Sequence, residues 1–158
     1  MSNFVLGVHS NLTSGDFTGG HAWITITNKT NLATVSYGLW PDGHPRTLDN
    51  KDGSDVRIGM EPPKGLANRY YALSQEQYIK LQRLIMTTEY WFYTNNCSSW
   101  SSQMVYKLLR VDIDADDYFG IETPREFGHN IIELELISPS TILTPITIKP
   151  NRKVRGLH

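Results

Sequence analysis

Short apolar runs separated by turn-forming residues dominate the first forty positions of the chain. The runs "FVLGVH" at 4–9, "HAWITIT" at 21–27 and "ATVSYGLW" at 33–40 are rich in β-branched and aromatic residues, as strands are. Glycines and asparagines lie between them, and Pro41-Asp42-Gly43 follows the third run, all typical of turns. The pattern predicts a three-stranded antiparallel meander.

Between about residues 42 and 68 the apolar residues become rare, and Pro, Gly, Asp and Lys become common. This composition predicts a long surface segment with one short strand at "VRIGM", 56–60. Loops of this length often frame a binding cleft. Strand-like character returns in "RYYAL" at 69–73.

Apolar residues at helical spacing follow after Ser74. Ser74 and Gln77 form a capping box ahead of apolar residues at helical intervals, which predicts a helix over 75–88. A second helix is predicted to begin near Cys97, because Asn96 and the residues before it are good N-caps.

A second capping box begins at Thr123 and places Pro124 at the first helical position. It predicts a short helix over 124–130. The alternating run "IIELELI" at 131–137 then predicts a strand. From about residue 139 the chain continues as a tail that ends in a basic stretch.

Composition limits the number of domains and the kinds of partner that the chain can have, but it does not indicate a function. With 158 residues the chain fits one domain, 1–158. Its 15 basic and 16 acidic side chains give a net charge of −1, so nucleic acid is not a favoured partner. No signal-peptide pattern precedes the first strand and no apolar run is long enough to span a bilayer, so we expect no stable membrane insertion. One cysteine excludes an internal disulfide framework and a multi-cysteine zinc site, and we expect neither a metal nor a cofactor.

Cys97 lies where a thiol is chemically useful. The partial positive charge and free N–H groups of a helix N-terminus stabilise a thiolate. The same N–H groups can bind the oxyanion that forms when a thiolate attacks a carbonyl. The alternative is an inert, buried cysteine that packs as a small hydrophobic residue.

A nucleophilic cysteine needs an imidazole to accept and return a proton. Of the five histidines, His21 is the best candidate, because it opens a strand directly after Gly19-Gly20, where another group can approach closely. Three others have simpler roles at an exposed turn, a helix end and the chain end: His44, His129 and His158.

A third group usually orients such a base through its other ring nitrogen. Pairing of the first two strands would bring His9 opposite His21. Asp42 is the alternative, since the hairpin of the second and third strands brings its position near the start of the second. His9 could also serve only to cap a strand end.

Together, "GGHAWITI", "YGLWPDG" and "NNCSSW" resemble the motifs of a circularly permuted papain-like (NlpC-type) cysteine hydrolase, in which the histidine precedes the cysteine. The chain looks most similar to the small permuted domains that serve as type VI secretion or polymorphic-toxin effectors. The resemblance implies Cys97 as nucleophile, with its own N–H in the oxyanion hole. It implies His21 as general base and acid, and His9 as the orienting residue.

The resemblance also implies an α+β fold in which an antiparallel sheet packs on the cysteine helix. The implied function is a peptidoglycan endopeptidase or amidase that acts on stem peptides through a thioester, as an antibacterial toxin. Such a protein would be made in the cytoplasm without a signal peptide and delivered to the periplasm of a target cell. Its partners would be a secretion-machinery carrier and a cognate immunity protein.

Two other functions stay open. The same fold could serve a protease, deamidase or acyltransferase that acts on a protein or lipid of the target cell. A non-enzymatic binding domain could instead use an aromatic platform made by the four tryptophans, Trp23, Trp40, Trp91 and Trp100.

The segment 112–124 carries acidic residues at 112, 114, 116 and 117, but their spacing lacks the glycine and the final glutamate of an EF-hand loop, so calcium is not favoured. It is interpreted as a solvated loop or as an acidic rim that attracts amino groups of a peptide. We expect this segment and the 42–68 segment to line a cleft between the sheet and the start of the cysteine helix.

Overall fold

The three predicted strands of the N-terminal meander form the centre of an antiparallel sheet in a computed structural model, which describes residues 2–15, 19–42, 53–117 and 120–149. Two further strands extend the sheet, giving the spatial order β4-β3-β2-β1-β5. The strands are β1 (Phe4–Ser10), β2 (Ala22–Asn28), β3 (Thr34–Leu39), β4 (Val56–Ile58) and β5 (Ala67–Ala72). Three helices follow: α1 (Gln75–Met86), α2 (Cys97–Leu109) and α3 (Pro124–Ile137). The predicted α+β class is confirmed.

Alternation along β1 and β2 separates two faces of the sheet. Leu6, Val8, Ala22, Ile24 and Ile26 belong to one buried apolar cluster with residues of all three helices. This face carries the main core, and α2 packs on β2 and β3 while α3 packs on β5 and β1.

The register of β1 and β2 differs from the expected one. His9 pairs with Trp23, and the N–H of Asn11 donates to the carbonyl of His21 at 3.1 Å. The difference amounts to two positions on the partner strand, and a side-chain period of two keeps His9 and His21 on the same face. The prediction that His9 lies opposite His21 is therefore wrong, although the shared face is retained.

Capping determines where α1 and α2 begin. The Ser74 side chain accepts a hydrogen bond from the N–H of Gln77, and the Gln77 side-chain oxygen accepts one from the N–H of Ser74, so the predicted capping box is confirmed. Asn96 is the N-cap of α2, which places Cys97 at the first helical position as expected.

The strand predicted over 131–137 is wrong, because α3 continues through this segment. Phe127 and Ile131 are fully buried and lie four positions apart, while Leu134 packs against the core. One helical face therefore buries these side chains, and this outweighs the local alternation. Beyond α3, Ile146 bridges Tyr71 of β5 in parallel orientation.

The segment from residue 60 to 66 lies against the opposite face of the sheet. The indole N–H of Trp23 donates to the carbonyl of Pro62 at 3.0 Å. A side chain at Gly65 would come within 2.5 Å of the Ser10 carbonyl, so glycine permits this close approach. Positions 43–52 of the predicted surface segment, and the basic stretch from 150 onward, lie outside the described residues.

Within the described ranges, every helix is too short or too polar to cross a bilayer.

Candidate active site

A cleft of about 470 Å³ opens where α2 begins beside the end of the sheet, and Cys97 and His21 both line it. Trp40, Trp91 and Tyr93 supply aromatic surface to this cleft. Its opposite wall is formed by residues 121–124, which lead into α3. The acidic loop thus reaches the cleft through its last residues, as expected, whereas no described residue of the 42–68 segment lines it.

The main chain around Cys97 forms a helix N-terminus that is capped by Asn96. The Asn96 side-chain oxygen accepts from the N–H groups of Ser98 at 2.9 Å and Ser99 at 3.2 Å. The Asn96 amide nitrogen donates to the carbonyls of Tyr93 and Glu122. Because the cap uses the N–H groups of Ser98 and Ser99, the N–H of Cys97 is left to act on a ligand in the cleft.

His21 is held by the backbone before it. Gly20 has a φ of 85°, a left-handed conformation that glycine adopts without steric cost. The side-chain oxygen of Asn11 accepts from the His21 N–H at 2.6 Å, and the Asn11 N–H donates to the His21 carbonyl. The imidazole lies 3.9 Å from the Trp40 ring and 5.7 Å from the Trp23 ring, centroid to centroid. These contacts hold the ring in the wall of the cleft.

Glu61 binds the other side of the imidazole. Its Oε1 lies 2.9 Å from Nε2 of His21 and accepts from Nε1 of Trp40 at 2.8 Å. The side chain is only 2% exposed. A Cβ at Gly38 would lie 2.0 Å from the same oxygen, so the glycine in β3 makes room for the carboxylate.

The thiol of Cys97 and the ring of His21 lie close enough that each shifts the pKa of the other. Since Nε2 is bound to Glu61, Nδ1 is the nitrogen left for the sulfur. Burial opposes the charge on both groups. For His21 the Cys97 thiolate and the Glu61 carboxylate outweigh burial and raise the pKa to about 9.

The pKa of Cys97 moves in the opposite direction. Burial raises the pKa of the thiol, but the charge and hydrogen bond of His21 outweigh it, aided by the backbone of Ala22 and the Ser98 hydroxyl. The thiol pKa lies below its ordinary value, while that of the imidazole lies above. The two shifts favour the form of the pair in which the thiol is a thiolate and the imidazole is an imidazolium.

His9 does not contact the His21 ring as predicted. Its Nδ1 lies 2.7 Å from the side-chain oxygen of Asn68 and its Nε2 lies 2.7 Å from the hydroxyl of Thr25. The ring is fully buried and stacks on Trp23 at 5.5 Å. Burial lowers the pKa of His9 to about 4. Because both ring nitrogens already have partners, Glu61 and not His9 occupies the orienting position.

Asp42, the alternative orienting residue, also lies elsewhere. Its carboxylate is 3.6 Å from Nη2 of Arg57 and its side chain is 82% exposed. His129 forms an exposed pair with Glu133 at 3.2 Å, consistent with a surface role. His44 and His158 lie outside the described residues.

Glu61 was missed because nothing around it in the sequence distinguishes it from a surface glutamate. The available signal was Gly38 in "SYGLW", since a glycine inside a strand indicates a close approach by another group. The sequence does not show which group approaches, because Glu61 is far from Gly38 in the chain and only the fold brings the two together.

The four tryptophans of the possible aromatic platform do not form one surface. Trp23 and Trp100 are buried at 1% and 3% exposure, which leaves Trp40 and Trp91 to line the cleft. Across the ranges that the structure describes, no three histidine, cysteine or acidic side chains are grouped closely enough to hold a metal ion.

No protein-family model, no curated protein and no solved structure matches this chain.

Proposed function

We propose that this protein is a cysteine hydrolase of the permuted papain-like type, with Cys97 as nucleophile, His21 as general base and acid, and Glu61 as the orienting residue. The observation that carries the proposal is that Cys97 and His21 line the same cleft at the start of α2 and that the buried Glu61 carboxylate binds Nε2 of His21. A nucleophile, a base and a group that orients the base are the three parts of a catalytic triad.

The chemistry follows from the pair of charges. The Cys97 thiolate attacks the carbonyl carbon of an amide, and the new S–C bond places negative charge on the carbonyl oxygen. The N–H of Cys97 lies at the helix N-terminus, where it can bind that oxygen. The His21 imidazolium gives its proton to the leaving nitrogen, and the C–N bond breaks to leave a thioester.

Hydrolysis reverses these roles. Neutral His21 takes a proton from water, which attacks the thioester carbonyl and releases the acid and the thiolate. Glu61 accepts from Nε2–H throughout, which holds Nδ1 toward the sulfur and stabilises the imidazolium. Trp40 covers this hydrogen bond and donates to the same carboxylate oxygen, which limits competition from water.

For the substrate we propose the stem peptides of peptidoglycan, cleaved by an effector that is delivered to the periplasm of a target bacterium. The resemblance of "GGHAW" and "NNCSSW" to effector endopeptidases supports this choice, and the open cleft is large enough for a short peptide segment. A carrier and an immunity protein would then be its partners.

A second candidate is transfer or hydrolysis of an acyl group on a protein or lipid. The aromatic surface of Trp40, Trp91 and Tyr93 would suit an apolar acyl chain. Both reactions use the same thioester, so only the substrate separates them.

Purified protein incubated with Gram-negative sacculi should release soluble muropeptide fragments, detected by chromatography and mass spectrometry. Cys97→Ala should release none, while Gln103→Ala, an exposed position of the same helix, should match the wild type. Intact sacculi with the wild type would contradict the peptidoglycan assignment. In that case, formation of an acyl-enzyme on Cys97 from a thioester or activated ester would still support a hydrolase.

A further inference from the structure

Glu122 brings a carboxylate to a cleft that is otherwise apolar or neutral. Apart from Glu122, Cys97 and His21, the described residues that line this cleft have uncharged side chains. In ligand sites of this kind a few placed polar groups determine orientation and specificity. The Glu122 side chain is only partly exposed.

The main chain holds Glu122 firmly beside the nucleophile. Its carbonyl accepts from the side-chain amide of Asn96 at 2.8 Å, and Asn96 directly precedes Cys97. Its backbone also bridges Asp116 in antiparallel fashion. The next residue, Thr123, is the N-cap of α3. Glu122 is thus tied to the starts of both helices that border the cleft.

The charges around this carboxylate are negative. Burial raises the pKa of Glu122, and the carboxylates of Asp116, Asp114 and Asp112 raise it further, while a hydrogen bond from Ser99 acts in the opposite direction. A cation placed in the cleft would offset this repulsion. Trp91 and Tyr93 would add aromatic faces, which attract ammonium groups.

We propose that Glu122 binds a primary ammonium group of the substrate, so that the hydrolase acts on amides whose acyl or amine portion carries a free amine near the scissile bond. This assignment rests on the proposed function, because it places part of the same substrate in the same cleft. A carboxylate that merely supports the start of α2 through Ser99 would show no preference for cations.

The first experiment measures the charge preference of the cleft without any substrate. The Cys97 thiolate attacks the divalent sulfur of a methanethiosulfonate reagent, the S–S bond of the reagent breaks, and a mixed disulfide and methanesulfinate are formed. Rates are compared for a reagent with a primary ammonium and for the neutral methyl reagent, each divided by its rate with a small model thiol. The wild type should prefer the cationic reagent, and added salt should reduce this preference.

Glu122→Gln should lower the cationic-to-neutral ratio about 5- to 10-fold. Asp112→Asn is the matched control, since it removes the same charge from an exposed acidic residue of the same loop that acts least on Glu122. It should change the ratio less than 2-fold by screening. Equal ratios for the wild type and Glu122→Gln would overturn the proposal. If Glu122→Gln does not fold, the wild type alone is decisive. A cationic-to-neutral rate ratio that equals the ratio of the model thiol and does not change with salt would overturn the proposal.

The second experiment uses sacculi whose stem peptides carry free amines, untreated or acetylated with acetic anhydride. Acetylation should slow the wild type about 10-fold and leave the slower rate of Glu122→Gln unchanged. Equal digestion of both preparations by the wild type would overturn amine recognition while sustaining the hydrolase. If neither preparation is digested, the peptidoglycan assignment fails, and the reagent ratios alone decide whether Glu122 binds cations.

Discussion

Glu61 contacts Nε2 of His21 at 2.9 Å, which leaves Nδ1 as the ring nitrogen available to the thiol of Cys97. The carboxylate comes from a segment that crosses the outer face of the sheet, and it reaches the ring only because Gly38 carries no side chain. Its second oxygen, Oε2, is buried without a hydrogen-bond partner among the described residues. Oε1 therefore makes both hydrogen bonds of this carboxylate, to His21 and to Trp40.

Replacing Glu61 tests this contact directly. Glu61→Gln keeps an oxygen that can accept from Nε2–H but removes the charge, so the pKa of His21 should fall from its value of about 9. Histidine resonances followed by NMR across the pH range would measure this change. Glu61→Ala should also lower turnover about 100-fold, since the base is no longer oriented.

Glu133→Gln is the control for these variants, because it removes a glutamate from an exposed histidine pair. It should alter neither the titration of His21 nor turnover. An unchanged pKa of His21 in Glu61→Gln would show that the carboxylate does not stabilise the imidazolium.

The pH dependence of thiol reactivity follows from the lowered pKa of Cys97. Iodoacetamide should alkylate the wild type at pH values where a model thiol, with a pKa of about 8.5, is still protonated. In His21→Ala the inflection should move to higher pH, because burial then raises the thiol pKa without an opposing charge. Rates measured from pH 5 to 10 give both inflections, and coincident curves for the two proteins would contradict the ion pair.

The rate of hydrolysis should fall in alkaline solution. Protonation of the leaving nitrogen needs the imidazolium, and His21 loses its proton with a pKa of about 9. Hydrolysis should therefore decline as pH rises through this value. Rate profiles of kcat/KM measure it, and activity that stays constant from pH 7 to 10.5 would contradict this assignment.

His9 should make the folded state sensitive to mild acid. Its pKa is about 4 when folded and 6.5 when exposed, so the unfolded chain binds the extra proton between these values. Stability should fall as pH drops below 6.5, by about 2 kcal/mol at pH 5. Urea unfolding at pH 7.5 and 5.0 would measure this, and His9→Gln should lose about 2 kcal/mol less than the wild type over the same interval. Equal losses would show that His9 does not titrate in this way.

Gly38→Ala should disrupt the site from the sheet side. The added Cβ would lie 2.0 Å from Oε1 of Glu61 and 2.9 Å from Nε2 of His21, so the carboxylate must move and turnover should fall as in Glu61→Ala. Glu61→Asp shortens the acid by one methylene, so combining it with Gly38→Ala relieves part of the clash and should recover part of the lost turnover. A fully active Gly38→Ala protein would show that the approach is not needed.

Local patterns were sufficient for most elements. The capping box at Ser74 and the asparagine before Cys97 define the starts of α1 and α2 because caps bind N–H groups within three residues along the chain. The apolar runs of the meander gave β1 to β3 for a similar reason, since alternating side chains and adjacent turns are local. The run 131–137 was misassigned because its alternation also contains apolar residues at helical spacing, and only packing beneath the sheet selects between them.

The sequence by itself determined that Cys97 begins a helix and that His21 follows a glycine pair at the start of a strand. These are properties of neighbouring residues. Tertiary structure alone decided that these two side chains line one cleft and that Glu61 binds the ring of His21. It also decided that both ring nitrogens of His9 are bound, to Thr25 and Asn68. Such contacts join segments far apart in the chain, and their selection depends on strand register, on the path of a loop across the sheet and on the space left by one glycine.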